Sequence, residues 1–152
     1  MKNIIFKKAK ISHLKPIIEL LIEDDLGKHR ESLSDNVFEL YAKAFKKIEN
    51  DKNQYLMIGE IDEEIVATCH LTIMPSLTFQ GQSRLQIEGV RVKICYRGNK
   101  IGEKMIEEAK KFASTNDCKI LQLTTNKKRS EAKRFYEKLG FEATHEGMKL
   151  SL

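Results

Sequence analysis

The sequence is poor in the residues that form linkers and low-complexity regions. Only two prolines and eight glycines occur among its 152 residues, and no stretch of them resembles a flexible linker. A chain of this length matches one domain and buries enough surface to fold without a disulfide or a metal. We therefore predict a single globular domain over residues 1–152.

Long hydrophobic runs are also missing. No apolar stretch approaches the roughly 20 residues that a membrane-spanning helix needs. The first ten residues, MKNIIFKKAK, contain an apolar run too short for a signal peptide. We therefore expect a cytoplasmic protein with no membrane partner.

Cysteine is scarce and has no metal-binding spacing. Cys69, Cys95 and Cys118 are odd in number and form no C-x-x-C pair, which favours free thiols over disulfides or a zinc site. His70 and His145 have no ligand spacing either. The sequence predicts no metal site, and it does not show the nearby histidine that a catalytic cysteine would need.

Charge of one sign does not dominate. The formal net charge is +5, and lysines alternate with glutamates along the segment 103–111, which is typical of a solvated helix face. A nucleic-acid-binding protein more often has a one-sided basic stripe or stacking aromatic motifs. We expect no nucleic-acid partner.

Hydrophobic periodicity predicts a first strand and two helices, then a β-meander, and then alternating helices and strands. Gly89 predicts a bulge in the last strand of the meander, and Asp62-Glu63-Glu64 predicts a hairpin turn. This order predicts a mixed sheet with helices on both faces, in the α/β or α+β class. The predicted helices span 13–23, 34–50, 101–115 and 130–139, the predicted strands span 3–8, 55–59, 65–74, 85–92 and 119–124, a loop spans 75–83, and 141–152 is predicted as a terminal strand or hairpin.

The segment RGNKIG, residues 97–102, joins the last strand of the meander to a helix. Free N–H groups in the first turn of a helix, with the helix dipole, can bind a pyrophosphate where the backbone is accessible. Gly98 and Gly102 would leave it accessible. The segment fits neither the P-loop nor the dinucleotide-binding pattern, and on its own it also fits a structural loop with incidental glycines.

Two motifs resemble those of the GNAT family of N-acetyltransferases. Residues 97–102 resemble its acetyl-CoA signature Q/R-x-x-G-x-G/A, and the segment 90–92 matches the V-x-V pattern that precedes it. Residues 132–141 resemble its A-x-x-F-Y-x-x-L-G-F segment. Lys100 stands where the family usually has a glycine, and Arg129 stands where it often has an asparagine.

The resemblance implies a fold and an activity. The expected fold is a mixed sheet of six to seven strands flanked by about four helices. The expected activity is direct transfer of an acetyl group from acetyl-CoA to a primary amine, with a small molecule favoured as the acceptor. A non-catalytic acyl-CoA-binding or interaction module, and a protein lysine or N-terminal acetyltransferase, remain alternatives. Similar proteins are often dimeric, so a homodimer is also considered.

The resemblance also assigns roles to residues. It implies that Glu88 is the general base, often acting through water, and that Tyr136 protonates the departing thiolate. The Val90 N–H, freed by the bulge, is expected to bind the thioester oxygen as it gains negative charge. The residues assigned to acetyl-CoA binding are Val90, Val92, Arg97, Gly98, Asn99, Lys100, Ile101, Gly102 and Phe135. The alternatives are that Glu88 pairs with Arg91 or a lysine, and that Tyr136 belongs to the apolar face of its helix.

The loop between the first two helices is the candidate acceptor site. Asp24, Asp25, His29 and Arg30 lie where similar proteins form the acceptor pocket. Two adjacent carboxylates there would favour a cationic amine, but solvation of a helix end explains them equally well.

Overall fold

Alternating apolar residues build one mixed sheet, which the computed structural model describes within residues 3–152. The strand order is β1-β2-β3-β4-β5. The first four strands pair antiparallel, and β5 pairs parallel to β4. The strands are β1 (Ile5–Lys8), β2 (Gln54–Ile61), β3 (Glu64–Met74), β4 (Ser83–Val92) and β5 (Cys118–Leu123). The predicted mixed sheet of the α/β class is confirmed.

The helices lie where the periodicity predicts them. They are α1 (Leu14–Ile22), α2 (Asp35–Asn50), α3 (Thr78–Gly81), α4 (Ile101–Thr115) and α5 (Ser130–Lys138). The short α3 is a single turn inside the predicted loop 75–83, and its Phe79 and Gln80 have positive φ. None of the helices described is long and apolar enough to cross a membrane.

The sheet separates two hydrophobic cores, because successive side chains of a strand point to opposite faces. On β2, Ile58 faces α1 and α2, where it packs with Ile18 and Phe45. Its neighbour Met57 faces the other side and packs with the buried residues of α4, including Met105. Helices α1 and α2 therefore cover one face, and α4 covers the other.

A bulge in β4 changes which face its side chains occupy. Glu88 pairs with His70 and Arg91 pairs with Thr68, so three residue steps on β4 match two on β3. Gly89 lies inside this bulge with φ 59°, a conformation that glycine adopts readily. The predicted bulge is confirmed, and the extra residue puts Glu88 and Arg91 on the same face of the sheet, the face covered by α1 and α2.

The C-terminal segment differs from its prediction. The predicted strand or hairpin over 141–152 is wrong, and the sheet has five strands rather than six to seven. Met148, Leu150 and Leu152 alternate as strand residues do, but all three are exposed. A strand requires a hydrogen-bonded neighbour, and none of the described strands pairs with this segment.

Candidate active site

Strand β4 extends beyond the end of its pairing with β5. The last paired residues are Ile87 and Leu123, whereas β4 continues to Val92. Over this length the edge of β4 that faces away from β3 has no strand beside it. A gap therefore opens between β4 and β5 at the end of the sheet where β4 leads into α4.

The peptide groups of Val90 and Val92 point into this gap. The Lys93 N–H donates to the Val66 carbonyl oxygen at 2.8 Å, so the Lys93 peptide group faces β3. Peptide groups of successive residues in an antiparallel strand alternate in direction. The N–H groups of Val90 and Val92 consequently face the open edge, where an extended ligand could pair with them as an added strand would.

Two arginine side chains donate hydrogen bonds to carbonyl groups at this edge of β4. The Arg91 Nη1 donates to the Val90 carbonyl oxygen at 2.7 Å, and the Arg97 Nε donates to the Val92 carbonyl oxygen at 3.1 Å. The Arg97 side chain is exposed and can exchange this contact for another. The carbonyl groups are thus satisfied, while the main-chain donors remain directed at the gap.

The N-terminus of α4 lies just past the end of β4 and is not capped by a side chain. The first helical hydrogen bond runs from the Lys104 N–H to the Lys100 carbonyl oxygen, at 3.0 Å. The preceding N–H groups of Ile101, Gly102 and Glu103 therefore have no acceptor within the helix. Free N–H groups and the positive end of the helix dipole together favour an anion here.

The positive φ of Gly98 and the side-chain hydrogen bonds of Asn99 determine the shape of the predicted phosphate loop. Gly98 has φ 79°, and a Cβ added there would meet no atom within 4 Å. The Asn99 side chain donates to the carbonyl oxygens of Tyr96 and Arg97, at 3.1 and 3.3 Å. A cavity of about 250 Å³ also borders the loop, but its lining includes Ile4 and Ile61, so it lies towards β1 and β2 and not in the gap between β4 and β5.

Gly102 has a packing function that the sequence did not indicate. A Cβ at Gly102 would lie 3.1 Å from Cζ of Phe135, so the missing side chain lets α5 approach the first turn of α4. The Phe135 ring packs edge-on against Tyr136 with centroids 5.1 Å apart, and Tyr136 packs against Phe141 at 5.7 Å. Gly102 thereby helps to fix the position of the candidate acid.

Tyr136 is protonated at neutral pH. Burial raises the pKa of its hydroxyl above the ordinary value, and the nearby charges of Arg91 and Arg129 oppose that rise. The hydroxyl makes no hydrogen bond to another residue of the described chain. It is therefore available as a proton donor to a ligand.

Glu88 lies at one end of a mostly apolar cavity of about 230 Å³ between the sheet and helices α1 and α2. Thr68, His70 and Gly89 line the same end. The Glu88 side chain is exposed, and among the described residues it forms no salt bridge. The alternative in which Glu88 pairs with Arg91 or a lysine is therefore not the arrangement observed.

His70 on β3 pairs directly with Glu88 on β4, a contact that a single sequence does not reveal. Its Nε2 is buried without a hydrogen-bond partner in the described chain. Burial lowers the pKa of the imidazole, and the Glu88 charge partly offsets that effect. The register of β3 against β4, which a single sequence does not reveal, creates this pair.

Asp24 joins the loop after α1 to two arginines. Its Oδ2 accepts hydrogen bonds from the Gly27 N–H at 3.0 Å, from Arg91 at 3.4 Å and from Arg129. Burial alone would raise the pKa of the carboxyl, but the Arg129 hydrogen bond, the Arg91 charge and the Gly27 N–H outweigh it and lower the pKa. Asp24 is therefore ionised and anchors this loop to β4 and to the start of α5.

The ion pairs of the other predicted acceptor residues lie within the loop after α1 and do not involve β4. Asp25 is exposed and pairs with Lys28 at 3.0 Å. His29 is exposed in the turn that follows, and Arg30 pairs with Glu31 at 2.8 Å. Asp24 is thus the one member of the predicted acceptor set that contacts β4.

Sequence reasoning did not name Arg91 and Arg129 as site residues. Arg91 occupies the middle of the V-x-V pattern, and Arg129 was noted as a departure from the family motif. The described residues contain no cluster of three or more His, Cys, Asp or Glu side chains that could hold a metal.

Comparison with known proteins agrees with the family resemblance of the two sequence motifs. The family model described as "Acetyltransferase (GNAT) family" matches residues 15–141. Glucosamine 6-phosphate N-acetyltransferase of Trypanosoma brucei brucei is 34% identical over 143 residues, which cover 89% of this chain and 95% of that protein.

Two solved structures share the fold. The crystal structure of a transcriptional regulator from Bacillus halodurans C-125 has a TM-score of 0.95 and 39% identity, covering 99% of this chain and 100% of the other. That of glucosamine-6-phosphate N-acetyltransferase from Arabidopsis thaliana has a TM-score of 0.80 and 22% identity, covering 99% of each chain. The second likeness concerns the fold alone.

We expect Lys100→Gly to stabilise the protein. Lys100 has φ 59°, a left-handed conformation that is strained for any residue but glycine. Glycine removes this strain but adds conformational entropy to the unfolded chain. We expect the first effect to be larger and to raise the free energy of unfolding by about 0.5–1 kcal/mol. Urea unfolding measures the difference. The control Lys104→Gly lies inside α4 and should lose about 1 kcal/mol; a loss of stability in both variants would contradict the backbone assignment.

We expect Asp24→Asn to cost about 1.5–3 kcal/mol at neutral pH, the range for a hydrogen bond to a charged group. The pKa of Asp24 is lowered by folding, so its contribution is present above the unfolded value of about 3.9 and is lost as pH falls further. Urea unfolding of both proteins between pH 7 and pH 3 should show the difference shrinking. The exposed neighbour Asp25→Asn is the control, with little change expected, and a difference that persists at low pH would contradict this role.

Proposed function

This chain belongs to the acetyltransferase (GNAT) family and is an acetyltransferase, and we propose that it transfers the acetyl group of acetyl-CoA to a primary amine of a small molecule by direct attack in a ternary complex. The observation that carries this proposal is the open edge of β4 beside the uncapped N-terminus of α4. That arrangement presents main-chain donors to both an extended pantetheine arm and a pyrophosphate.

The main chain would hold the coenzyme. The N–H groups of Ile101, Gly102 and Glu103 are directed at the position of the pyrophosphate. Pantetheine contains two amides, which can pair with Val90 and Val92 as a strand does. In this arrangement the Arg97 side chain leaves the Val92 carbonyl and turns towards phosphate.

Lys100 fits the same scheme despite replacing a glycine of the motif. It takes the left-handed conformation that the motif position requires, and its side chain is exposed. The ammonium group is therefore free to approach a phosphate from solvent.

Glu88 would remove the proton of the acceptor ammonium, directly or through a water molecule. Its position in the cavity between α1, α2 and the sheet places a carboxylate where an amine can enter. General base catalysis of this kind is worth roughly 10²–10⁴-fold in rate. The buried Nε2 of His70 on the adjacent strand can orient the water or the carboxylate.

Charge that develops on the thioester oxygen needs a donor, and the Val90 N–H at the bulge supplies one. The departing thiolate needs a proton, and Tyr136 can provide it because its raised pKa keeps the hydroxyl protonated. In this proposal Glu88 acts as the base and Tyr136 acts as the acid.

Two of the three cysteines, Cys69 and Cys118, do not suit an acyl-enzyme route, whereas the third, Cys95, is free and exposed. Burial raises the pKa of Cys69 to about 12, so it stays a thiol, and burial also raises the pKa of Cys118. A thiol is a poor nucleophile compared with its thiolate. An acyl-enzyme at Cys69 or Cys118 is therefore disfavoured.

The named substrate of the trypanosomal relative, glucosamine 6-phosphate, is a small primary amine, which supports a small-molecule acceptor here. The name of the Bacillus halodurans structure would instead suggest a nucleic-acid role. The surface of α4 gives that role little support, because Lys110 and Lys111 pair with glutamates three residues earlier.

Two measurements on the purified protein test this proposal. Calorimetric titration with acetyl-CoA should show binding, and a free-thiol assay across a panel of amines and lysine peptides should show CoA release that depends on the amine. Acetylation of the protein by acetyl-CoA alone in a stoichiometric burst would contradict direct transfer. Activity with peptides but not with small amines would contradict the proposed acceptor class.

We expect Glu88→Gln to lower kcat at neutral pH by about 100-fold or more while leaving the affinity for acetyl-CoA unchanged. Its activity should recover partly at higher pH, because the amine then loses its proton without a base. The surface variant Glu108→Gln is the control. An unchanged kcat in Glu88→Gln would remove the assigned role.

We expect Tyr136→Phe to lower kcat by about 100-fold with little effect on folding, since the ring contacts with Phe135 and Phe141 persist. Steady-state assays and thermal unfolding measure the two effects. Tyr55→Phe is the matched control, because Tyr55 packs against Phe112 in the core. Equal kcat in both variants would show that the hydroxyl of Tyr136 transfers no proton.

A further inference from the structure

We propose that Arg91 and Arg129 form a subsite for an anionic group, carboxylate or phosphate, carried by the acceptor amine. The inference rests on the proposed acetyl transfer and specifies the substrate class for it. It also gives a function to two residues that the acetyl-transfer scheme does not use.

The two guanidinium groups have many unused donors. Each carries five N–H groups, yet the described chain supplies hydrogen-bond acceptors for only three of the ten, namely the Val90 carbonyl oxygen once and Asp24 Oδ2 twice. The Arg91 Nε is buried and has no hydrogen-bond partner among the described residues. A buried donor without an acceptor is costly, and a bound anion would satisfy it.

Charge at this position is also unbalanced. Two arginines share one carboxylate, and the side chains of Arg91 and Asp24 are each only 12% exposed, while that of Arg129 is 26% exposed. Arg30, on the loop after α1, adds positive charge near Arg91, and its partner Glu31 adds negative charge there. The cluster therefore keeps an excess of one positive charge. Because water has limited access to this cluster, its excess positive charge attracts an anion more strongly than exposed arginines would.

Asp24 acts as an organiser of this cluster. All of its hydrogen bonds go to one oxygen, Oδ2, which draws the two guanidinium groups to the same point. Arginine forks bind carboxylate and phosphate in planar, often bidentate geometry. The carboxylate therefore pre-positions the two forks while leaving most of their donors for a ligand.

The subsite lies on the acceptor side of the sheet. The bulge puts Arg91 and Glu88 on the same face of the sheet. Arg91 pairs with Thr68 of β3, and Glu88 pairs with His70. Two residue steps along β3 correspond to about 7 Å. A small molecule with its amine near Glu88 and an anionic group several bonds away would span both positions.

Matched substrate pairs test the inference. Glucosamine 6-phosphate with glucosamine tests phosphate, and 4-aminobutyrate with 4-aminobutyramide tests carboxylate. We expect the anionic member of at least one pair to have the higher kcat/KM, by about 10-fold or more. The pair that shows the preference identifies the anion. Equal kcat/KM within both pairs would overturn the inference.

Variants of the arginines then locate the preference. Arg129→Gln and Arg91→Gln should lower the ratio of kcat/KM for the anionic member to kcat/KM for the neutral member by about 10- to 100-fold. Both members share Tyr136 and acetyl-CoA, so this ratio cancels any effect that the lost charge has on either of them. Arg129→Lys keeps the positive charge but loses the planar guanidinium group. Its preference for the anionic member should therefore lie between those of the wild type and Arg129→Gln. Arg134→Gln, on the exposed side of α5, is the control. Equal losses of kcat/KM for both members of a pair would overturn the assignment.

A binding measurement keeps the test independent of turnover and of folding losses in Arg91→Gln. Inorganic phosphate added to the wild-type protein should shift the nuclear magnetic resonance signal of the Arg91 Nε–H, and Arg129→Gln should reduce that response. Absence of a shift would overturn the subsite even if acetyl transfer is confirmed. A shift without any acetyl transfer would instead refute the proposed function and leave the anion site standing.

Discussion

The bulge in β4 is the constraint on which the candidate site depends. One extra residue at Gly89 changes the direction of the strand relative to β3, and β4 parts from β5 at the same place. It brings Glu88 and Arg91 to one face and turns the donors of Val90 and Val92 into the gap. Without it, a regular strand would send these two side chains to opposite faces of the sheet.

The rest of the site follows from how the chain continues. A left-handed residue at Lys100 starts α4 with its N-terminus directed at the gap, and the missing side chain of Gly102 allows Phe135 to approach. Tyr136 is then held against the same gap by aromatic packing. The proposed coenzyme site and the candidate acid therefore both depend on the start of α4.

Much of this could be predicted from the sequence because the signals are local. Apolar periodicity indicated the four longer helices and the five strands, and Gly89 indicated the bulge. The clusters that depend on distant residues could not be predicted. Asp24 meets Arg91 and Arg129 across 67 and 105 residues of sequence, and the His70–Glu88 pair depends on strand register. The terminal strand or hairpin predicted over 141–152 was wrong, because an apolar pattern alone does not supply a pairing partner.

The central claim is that main-chain donors of β4 and α4 bind acetyl-CoA. Hydrogen exchange of individual backbone amides, measured by nuclear magnetic resonance with and without acetyl-CoA, tests it most directly. The account predicts slower exchange at Val90, Val92, Ile101 and Gly102 when acetyl-CoA is present, with β1 and β2 unchanged. Binding that leaves these four amides unprotected would contradict it.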